Sequence, residues 1–287
     1  MRFAIALSLA TLVVCSSAAY ADDETPPVVG GKTYVQHQIV AAKSRHPEIV
    51  DITVVGKRPD DKAPVILGST ASARNVFKSA AEPTDGSVVS GTYYVVREPL
   101  LSSTAHRLGT IEIKFRNRAG QQARYSKIAS EVQAAMARAT LSLKNAVDPY
   151  PFDPAFGPNT YAQRLTETTV AAHPDLLVMM IHARPPKGAH NVIIGSNIGR
   201  FGKQADEDDL RVIEKGSTNL EVGGDNDRFE TELPLLDRTG KRIGALGLVF
   251  NYKPGSDKEA IHRHGLAIRD EVARAIPNNA ALFRPAR

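Results

Sequence analysis

The segment GSNIGRFGK, residues 195–203, has the composition of a loop that could close over a small polar or anionic ligand. Its glycines permit unusual backbone angles and leave amide groups unobstructed, while Arg200 and Lys203 add positive charge. Arginine offers a planar fork of donors that matches a carboxylate or a phosphate. We therefore expect Arg200 to bind an anionic ligand, with Lys203 and Asn197 beside it. The alternative is that the segment only caps the fold.

His182 is a second candidate for ligand binding, because it ends an otherwise apolar predicted strand, residues 176–182. Alternation along the strand places four side chains on one face: Leu176, Val178, Met180 and His182. This pattern suggests a polar group at the rim of an apolar pocket, with Met180 adapting to the ligand. The alternatives are a strand-end histidine in contact with water and a methionine of the core. Tyr252, at the end of the last strand, completes the candidate set.

The remaining histidines do not form a recognisable metal motif. His262 and His264 make an H-x-H pair, but residues i and i+2 of a helix do not face the same way. No third ligand of the kind that zinc sites use follows nearby. His46 and His173 each precede a proline at a predicted helix end, where a cation complements the helix dipole. We therefore expect no metal site; converging histidines would instead favour a metal or haem carrier.

Catalytic motifs are missing from the sequence: it contains no G-x-S-x-G, no H-E-x-x-H and no P-loop. The one cysteine, Cys15, lies in residues 1–21, which resemble a secretory signal peptide with cleavage near Ala21. A mature chain without cysteine excludes thiol chemistry and C-x-x-C-H haem attachment. We therefore expect a periplasmic or secreted protein for which ligand binding is favoured over catalysis, and the sequence does not identify a cofactor.

Charge and hydropathy exclude two further classes. The chain has 36 Lys and Arg against 31 Asp and Glu, a formal net charge of +5, and the basic residues are scattered rather than clustered. This distribution argues against nucleic acid as a partner. After the signal peptide, no apolar run approaches the roughly 18 residues of a transmembrane helix.

The helices and strands that carry the candidate ligand-binding residues belong to a segment that occurs twice in the chain. At an offset of 127 residues the matching anchors are TYVQ with TYAQ, His-Pro with His-Pro, and VILGS with VIIGS, starting in the first copy at residues 33, 46 and 65. At an offset of 135, EPLLSSTAHRLG (98–109) matches LPLLDRTGKRIG (233–244). We therefore predict two domains that superpose, a first copy at residues 22–148 and a second copy at 149–287. The proline-rich segment 145–159 forms their boundary.

Each copy has the pattern of an α+β domain. A helix is followed by two strands, three further strands and a last helix, with a short additional helix after residue 204 in the second copy. This order predicts an antiparallel sheet with helices on one face. In TIEIKF, residues 110–115, apolar and polar residues alternate, so we expect one face of the first sheet to be wet.

Both copies resemble the PAS-like sensor fold, and most closely the extracytoplasmic Cache type. The segments that carry the resemblance are HPDLLVMMIHA, VIIGSNIGRFGKQADEDD and DRTGKRIGALGLVF. The resemblance implies tandem PAS/Cache-like domains, with a pocket between the sheet and the loop–helix region. The first copy departs from the pattern after Ser69, so we expect ligand binding in the second copy.

These observations together predict an exported soluble protein that binds a small molecule through its second domain. It would act as a free binding protein, signal through a membrane receptor or transporter, or carry its ligand. The alternatives are a periplasmic enzyme acting on a small metabolite and a metal or haem carrier. A preorganised triad around His182 would favour the enzyme.

Overall fold

The computed structural model describes residues 32–71, 76–223 and 225–286. The predicted signal peptide and Cys15 lie outside the described residues. Within those ranges, no helix combines the length and the apolar character needed to cross a membrane.

The helices and strands follow the order that the repeat predicts. The elements up to the boundary segment are α1 (Tyr34–Arg45), β1 (Ile49–Gly56), β2 (Val65–Ser69), β3 (Gly86–Ser90), β4 (Tyr93–Leu101), β5 (Arg107–Arg116), α2 (Gln122–Ala139) and α3 (Leu143–Val147). The elements after it are α4 (Tyr161–Ala172), β6 (Leu176–Ala183), β7 (Val192–Ser196), α5 (Glu207–Lys215), β8 (Asn219–Val222), β9 (Arg228–Leu236), β10 (Arg242–Asn251), α6 (Lys258–Ala275) and α7 (Asn279–Leu282).

Two five-stranded antiparallel sheets form the framework, one from each copy. Their strand orders are β2-β1-β5-β4-β3 and β7-β6-β10-β9-β8, which are the same order in the two copies. The α+β class is therefore confirmed, and the equal strand order agrees with the predicted repeat. Helix α5 has no counterpart among the described residues of the first copy.

The repeated anchors form the same clamp in both copies. Thr160 caps α4 by accepting a hydrogen bond from the backbone N–H of Gln163, as Thr33 does for α1. The side-chain oxygen of Gln163 then accepts from the backbone N–H of Ser196 at 2.8 Å. Gln36 accepts from the Ser69 N–H in the same way, at 2.9 Å. The repeated T-Y-x-Q and G-S motifs therefore join the first helix to the second strand.

Replacing Gln163 with alanine should destabilise the protein by about 1 to 3 kcal/mol, because a buried backbone N–H loses its partner. Gln36→Ala should have an effect of similar size. Urea unfolding of both variants measures this. The control is Gln122→Ala, whose side chain makes an exposed hydrogen bond to Asn117. If Gln122→Ala were as destabilised as the other two variants, the stabilising role of the Gln163 and Gln36 hydrogen bonds would be contradicted.

The apolar cores lie between each sheet and its long helices. In the first copy α1 and α2 cover Ile111, Ile113 and Phe115 of β5, which are fully buried. Glu112 and Lys114 point to the opposite, wetter face and pair with each other at 3.6 Å. The predicted wet face is therefore confirmed.

The second sheet is covered on both faces, which corrects the prediction of helices on one face only. Helices α4 and α6 pack on one side of it. Helix α5 packs on the other side, against β9 and β10. That side of the sheet is apolar and shielded from solvent, because Val178 and Val249 pack against Ile198 there.

A β-bulge corrects the predicted face of one side chain. The register between β6 and β10 shifts where Val249 pairs with Val178 and Phe250 pairs with Leu176, so Leu177 is an extra residue. Leu176 therefore packs in the core beneath α4 and α6, whereas Val178 lies on the α5 side. Simple alternation had placed both on one face.

The boundary segment is packed between the two copies. Asn145 donates a side-chain hydrogen bond to the Ile198 carbonyl at 2.9 Å. The backbone N–H of Phe152 donates to the Phe201 carbonyl at 2.8 Å, and that of Tyr34 donates to the Asp148 carbonyl at 2.9 Å. The segment therefore joins α1 to the loop after β7.

Candidate functional site

The glycines of the loop between β7 and α5 have a packing role. Gly199 and Gly202 have φ of 77° and 81°, which favours glycine. A Cβ on Gly199 would lie 2.7 Å from the Tyr34 ring, and one on Gly202 would lie 2.6 Å from the Asp153 side chain. The loop therefore lies directly against the first copy and the boundary segment.

Arg200 already has an acidic partner. Its Nε lies 2.9 Å from Asp148 Oδ2, and the two side chains are only 18% and 12% exposed. Its φ of 69° is unusual for a residue with a side chain. The positive charge that was predicted to hold an anion is thus paired with the boundary segment.

Hydrogen bonds that involve main-chain groups hold Lys203 and Asn197 in place. The Lys203 carbonyl accepts from the Ile193 N–H at 2.9 Å, so the loop folds back onto β7. The Asn197 side chain accepts from the Met179 N–H at 2.9 Å and donates to the Leu177 carbonyl at 2.8 Å. It thereby continues the pairing of β6 beyond the end of β7, and both ends of its amide are occupied.

A buried cluster of titratable side chains lies between α5 and the second sheet. It consists of His182 from β6, Glu230 and Glu232 from β9, and Asp209 from α5. His182, Glu232 and Asp209 are buried, whereas Glu230 is partly exposed. Glu232 pairs across the sheet with Gly247, and so does Met180 from the other side. Met180 therefore lies on the same face as the cluster, and Gly247 leaves space between the flanking side chains.

The start of α5 fixes the position of Asp209. The helix begins with a capping box, in which Asp206 accepts from the Asp209 N–H and Asp209 accepts from the Asp206 N–H. Asp209 Oδ2 then lies 3.2 Å from His182 Nδ1. This contact is not an aligned hydrogen bond, because Nδ1 has no hydrogen-bond partner among the described residues. Glu232 Oε1 is likewise buried without one.

The cluster holds more carboxyl groups than its cations can neutralise. Burial, together with the hydrogen bond to Asp209 and its charge, raises the pKa of Glu232 to about 10. Burial, with the charges of Glu221 and Asp209, raises the pKa of Glu230 to about 7. Burial alone would also raise the pKa of Asp209, but His182 and the hydrogen bond from Glu232 hold it well below its ordinary value. The opposite directions of these two shifts favour Glu232 as the protonated group and Asp209 as the ionised one.

The structure brings together some of the predicted residues and not others. Met180 and His182 lie on the cluster face, and the charge of Arg200 acts on Glu230 from the loop. Tyr252 lies on the α6 side, where its ring is 6.0 Å from Phe229. It also follows the end of β10, seven residues beyond Ala245, which pairs with His182, roughly 23 Å at the rise of a strand. Tyr252 does not share a site with the others.

Sequence reasoning missed Asp209, Glu230 and Glu232. Asp209 had a signal, because D-x-x-D at the start of α5 is a capping-box pattern. The two glutamates had a weaker one, since they alternate with Phe229, Thr231 and Leu233 along β9. Their meeting with His182 depends on strand order, which no local pattern contains.

Two open surface depressions lie away from the cluster. One, of about 310 Å³, is lined by residues of β8, β9 and α6, among them Leu220, Phe229 and His262. The other, of about 370 Å³, lies beside α1 and β2. We assign the candidate site to the cluster rather than to the depressions, because the buried carboxyl groups with raised pKa values lie only there within the described ranges.

Comparisons with known proteins do not identify the chain. No protein-family model matches it, and no curated protein matches it. Among solved structures it is matched to the inducer-binding domain of the PobR transcription factor from Acinetobacter, a double mutant in complex with 3-hydroxybenzoic acid. That match has 10% sequence identity and a TM-score of 0.19, and it covers 85% of this chain and 95% of that chain. A TM-score of this size carries no argument about fold or ligand.

Proposed function

We propose that the protein binds a small molecule bearing a positively charged amino group, on the α5 side of the second sheet. The observation that carries the proposal is the cluster of Asp209, Glu230 and Glu232, whose carboxyl groups outnumber the cations in reach. Two of these groups have raised pKa values because burial and mutual repulsion disfavour their charge. An ammonium group beside them would reverse both effects.

The basic side chains nearest to Glu230 and Glu232 already face other carboxylates. Arg200 is paired with Asp148, and His182 faces Asp209. Glu230 is the partly exposed member, so it marks the side from which a ligand would arrive. Met180 supplies an adaptable apolar surface on the same face. Small-molecule sites combine such apolar surface with a few oriented polar groups.

The corresponding face of the first copy supports binding in the second copy. At the position of the Glu232–Gly247 pair, the first sheet has Arg97 opposite Glu112, and the two side chains form an ion pair at 2.9 Å. A face whose charges are already paired, and which no helix covers within the described ranges, lacks the acidic excess. We therefore keep the prediction that ligand binding belongs to the second copy.

The PAS/Cache-like identity, the export and the sensing role belong to the same proposal. The resemblance implies a pocket between the sheet and the loop–helix region, and α5 with its preceding loop does cover one face of the second sheet. A ligand bound under α5 would change the position of that helix and of the loop that contacts the first copy. We propose this coupling as the route by which a membrane receptor or transporter would detect the ligand.

An enzyme remains the second candidate, because His182 and Asp209 lie side by side as the histidine and carboxylate of a catalytic triad do. A triad also needs a hydrogen bond between these two groups and a nucleophile hydrogen-bonded to the histidine. His182 Nδ1 makes no hydrogen bond within the described ranges. Binding therefore accounts for the cluster better than catalysis does.

The proposal predicts that amines stabilise the protein and that the matching neutral or acidic compounds do not. A thermal-shift panel would pair each amine with its N-acetyl derivative and with a carboxylic acid of the same skeleton. Losing one charged hydrogen bond should weaken binding roughly 10- to 100-fold. The amine-induced shift should therefore disappear in Glu230→Gln and persist in Glu112→Gln, a matched change on the first sheet. Stabilisation by acids that is lost in Arg200→Ala would contradict the proposal and restore an anionic ligand.

A further inference from the structure

A second cluster with binding chemistry lies where α4 ends beside α6, on the opposite side of the second sheet from α5. His173, Asp175 and His264 each offer one ligand atom, and these atoms all lie within 4.8 Å of one another. Two ring nitrogens and a carboxylate oxygen are a typical ligand set of zinc sites. An ion at about 2.0 to 2.2 Å from each ligand would draw these atoms closer together than that limit.

We propose that this cluster binds one divalent transition-metal ion of the zinc class, with His173, Asp175 and His264 as its ligands. The proposal does not depend on the amine site, because the two clusters share no residue and lie on different faces of the sheet.

The local fold preorganises two of the three ligands. His173 ends α4, and a turn closes where the Leu176 N–H donates to the His173 carbonyl at 2.9 Å. Pro174 takes the second position of this turn, where its fixed φ is favourable. Asp175 takes the third position. The H-P-D sequence thus holds an imidazole and a carboxylate on one rigid turn.

The third ligand comes from α6. His264 Nε2 lies 3.2 Å from Asp175 Oδ2, and the His264 ring packs at 5.5 Å from the ring of Phe250. Gly265 allows α6 to lie close to the sheet, since a Cβ there would meet Thr231 Oγ1 at 2.6 Å. The ring of His264 is therefore held between the sheet and the turn.

Glu271 provides an orienting partner. Its Oε2 lies 3.1 Å from His173 Nε2. Carboxylates that bond a metal-ligating histidine fix its ring orientation and raise its basicity. With Asp175, it also gives the cluster two formal negative charges. We treat Glu271 as a positioning residue for His173.

Charge and access both suit a transition metal. The C-terminal end of α4 carries the partial negative charge of the helix dipole, which favours a cation there. Two nitrogen ligands disfavour Ca²⁺ and Mg²⁺, which prefer oxygen, and favour zinc-class ions. The side chains of Asp175 and His264 are 58% and 40% exposed, so an ion can reach them from solvent.

The first copy has the same turn without the site. His46, Pro47 and Glu48 match the H-P-D turn, and the Ile49 N–H donates to the His46 carbonyl at 3.0 Å. Glu48 pairs with Arg124 from α2 instead of with a histidine. The turn alone therefore does not make a site, and the first copy supplies a matched control.

The test is zinc titration of the untagged protein, with Cys15→Ser in every sample to remove the thiol. Competition with a chromogenic chelator measures affinity, and calorimetry measures stoichiometry. One Zn²⁺ should bind per chain. Loss of a group that hydrogen-bonds a metal ligand typically weakens metal binding roughly 10- to 100-fold, and Glu271→Gln should fall within that range. His173→Ala and His264→Ala remove direct ligands and should weaken zinc binding by more than that. His46→Ala and His262→Ala should bind zinc as the parent protein does.

Equal zinc affinity in the parent, His173→Ala and His264→Ala proteins would overturn the proposal, and so would the absence of binding by the parent. Either result would make the cluster two histidine–carboxylate ion pairs. Circular dichroism checks folding, and His264→Gln keeps the test valid if the alanine variant unfolds. X-ray absorption at the zinc edge should show only nitrogen and oxygen ligands; a shell without imidazole would also overturn the assignment.

Discussion

Replacing Glu232 with glutamine is expected to stabilise the protein by about 3 kcal/mol at pH 7, with a gain that grows toward pH 9. Glu232 has a pKa of about 10 in the folded protein, whereas an unfolded glutamate titrates near pH 4.5. Between these values the folded state binds a proton that the unfolded state has released. Folding therefore becomes less favourable as pH rises through this window.

Glutamine removes that pH dependence without removing the hydrogen-bond donor. Its amide can still donate to Asp209, as the protonated carboxyl does. Urea unfolding of the parent and of Glu232→Gln, measured from pH 4 to pH 9, should give stabilities that converge at pH 4, below the unfolded pKa near 4.5, and diverge as pH rises above it. The control Glu131→Gln alters an exposed glutamate of α2 and should shift stability by less than about 0.5 kcal/mol at every pH. A constant difference between Glu232→Gln and the parent would contradict the raised pKa.

Replacing Asp148 with alanine is expected to destabilise the protein by about 2 to 4 kcal/mol, because it leaves the guanidinium of Arg200 without its partner in a mostly buried position. The double variant Asp148→Ala with Arg200→Ala should lose less stability than the two single variants together. The control is Asp85→Ala, which breaks an exposed pair with Arg107 and should cost at most about 1 kcal/mol.

The backbone at Arg200 allows an independent test of the same contact. Both Arg200→Ala and Arg200→Gly remove the ion pair, but only glycine adopts a φ of 69° freely. The glycine variant should therefore be more stable than the alanine variant by about 1 kcal/mol. Equal stability would mean that the loop relaxes away from this conformation.

Local patterns predicted most of the fold. The order of helices and strands was predicted in both copies, and the short helix predicted after residue 204 is found as α5. The repeat predicted equal strand orders because its anchors are the clamp between the first helix and the second strand. Two features were not predicted from the sequence. The bulge opposite Phe250 is visible only in the strand register, and the placement of α5 depends on tertiary packing.

The site was less accessible to sequence reasoning. His182 was found because it interrupts an apolar strand, but its acidic partners lie 27, 48 and 50 residues further along the chain. The basic loop attracted attention because glycines with arginine suggest an anion site. Its glycines instead allow close packing against Tyr34 and Asp153. No local sequence pattern indicates this long-range contact. His173 was taken as a helix end, which it is, and its approach to His264 required the packing of α6.

The central claim is that an amine binds against Glu230 and Glu232. The most direct measurement is calorimetric titration, at pH 7.5, of the amine that the thermal-shift panel selects, in two buffers with different ionisation enthalpies. If an ammonium group ionises the protonated carboxyl cluster, binding should release close to one proton per ligand, and Glu230→Gln with Glu232→Gln should abolish the release. Tight binding with no proton release, or release unchanged in that double variant, would contradict the account.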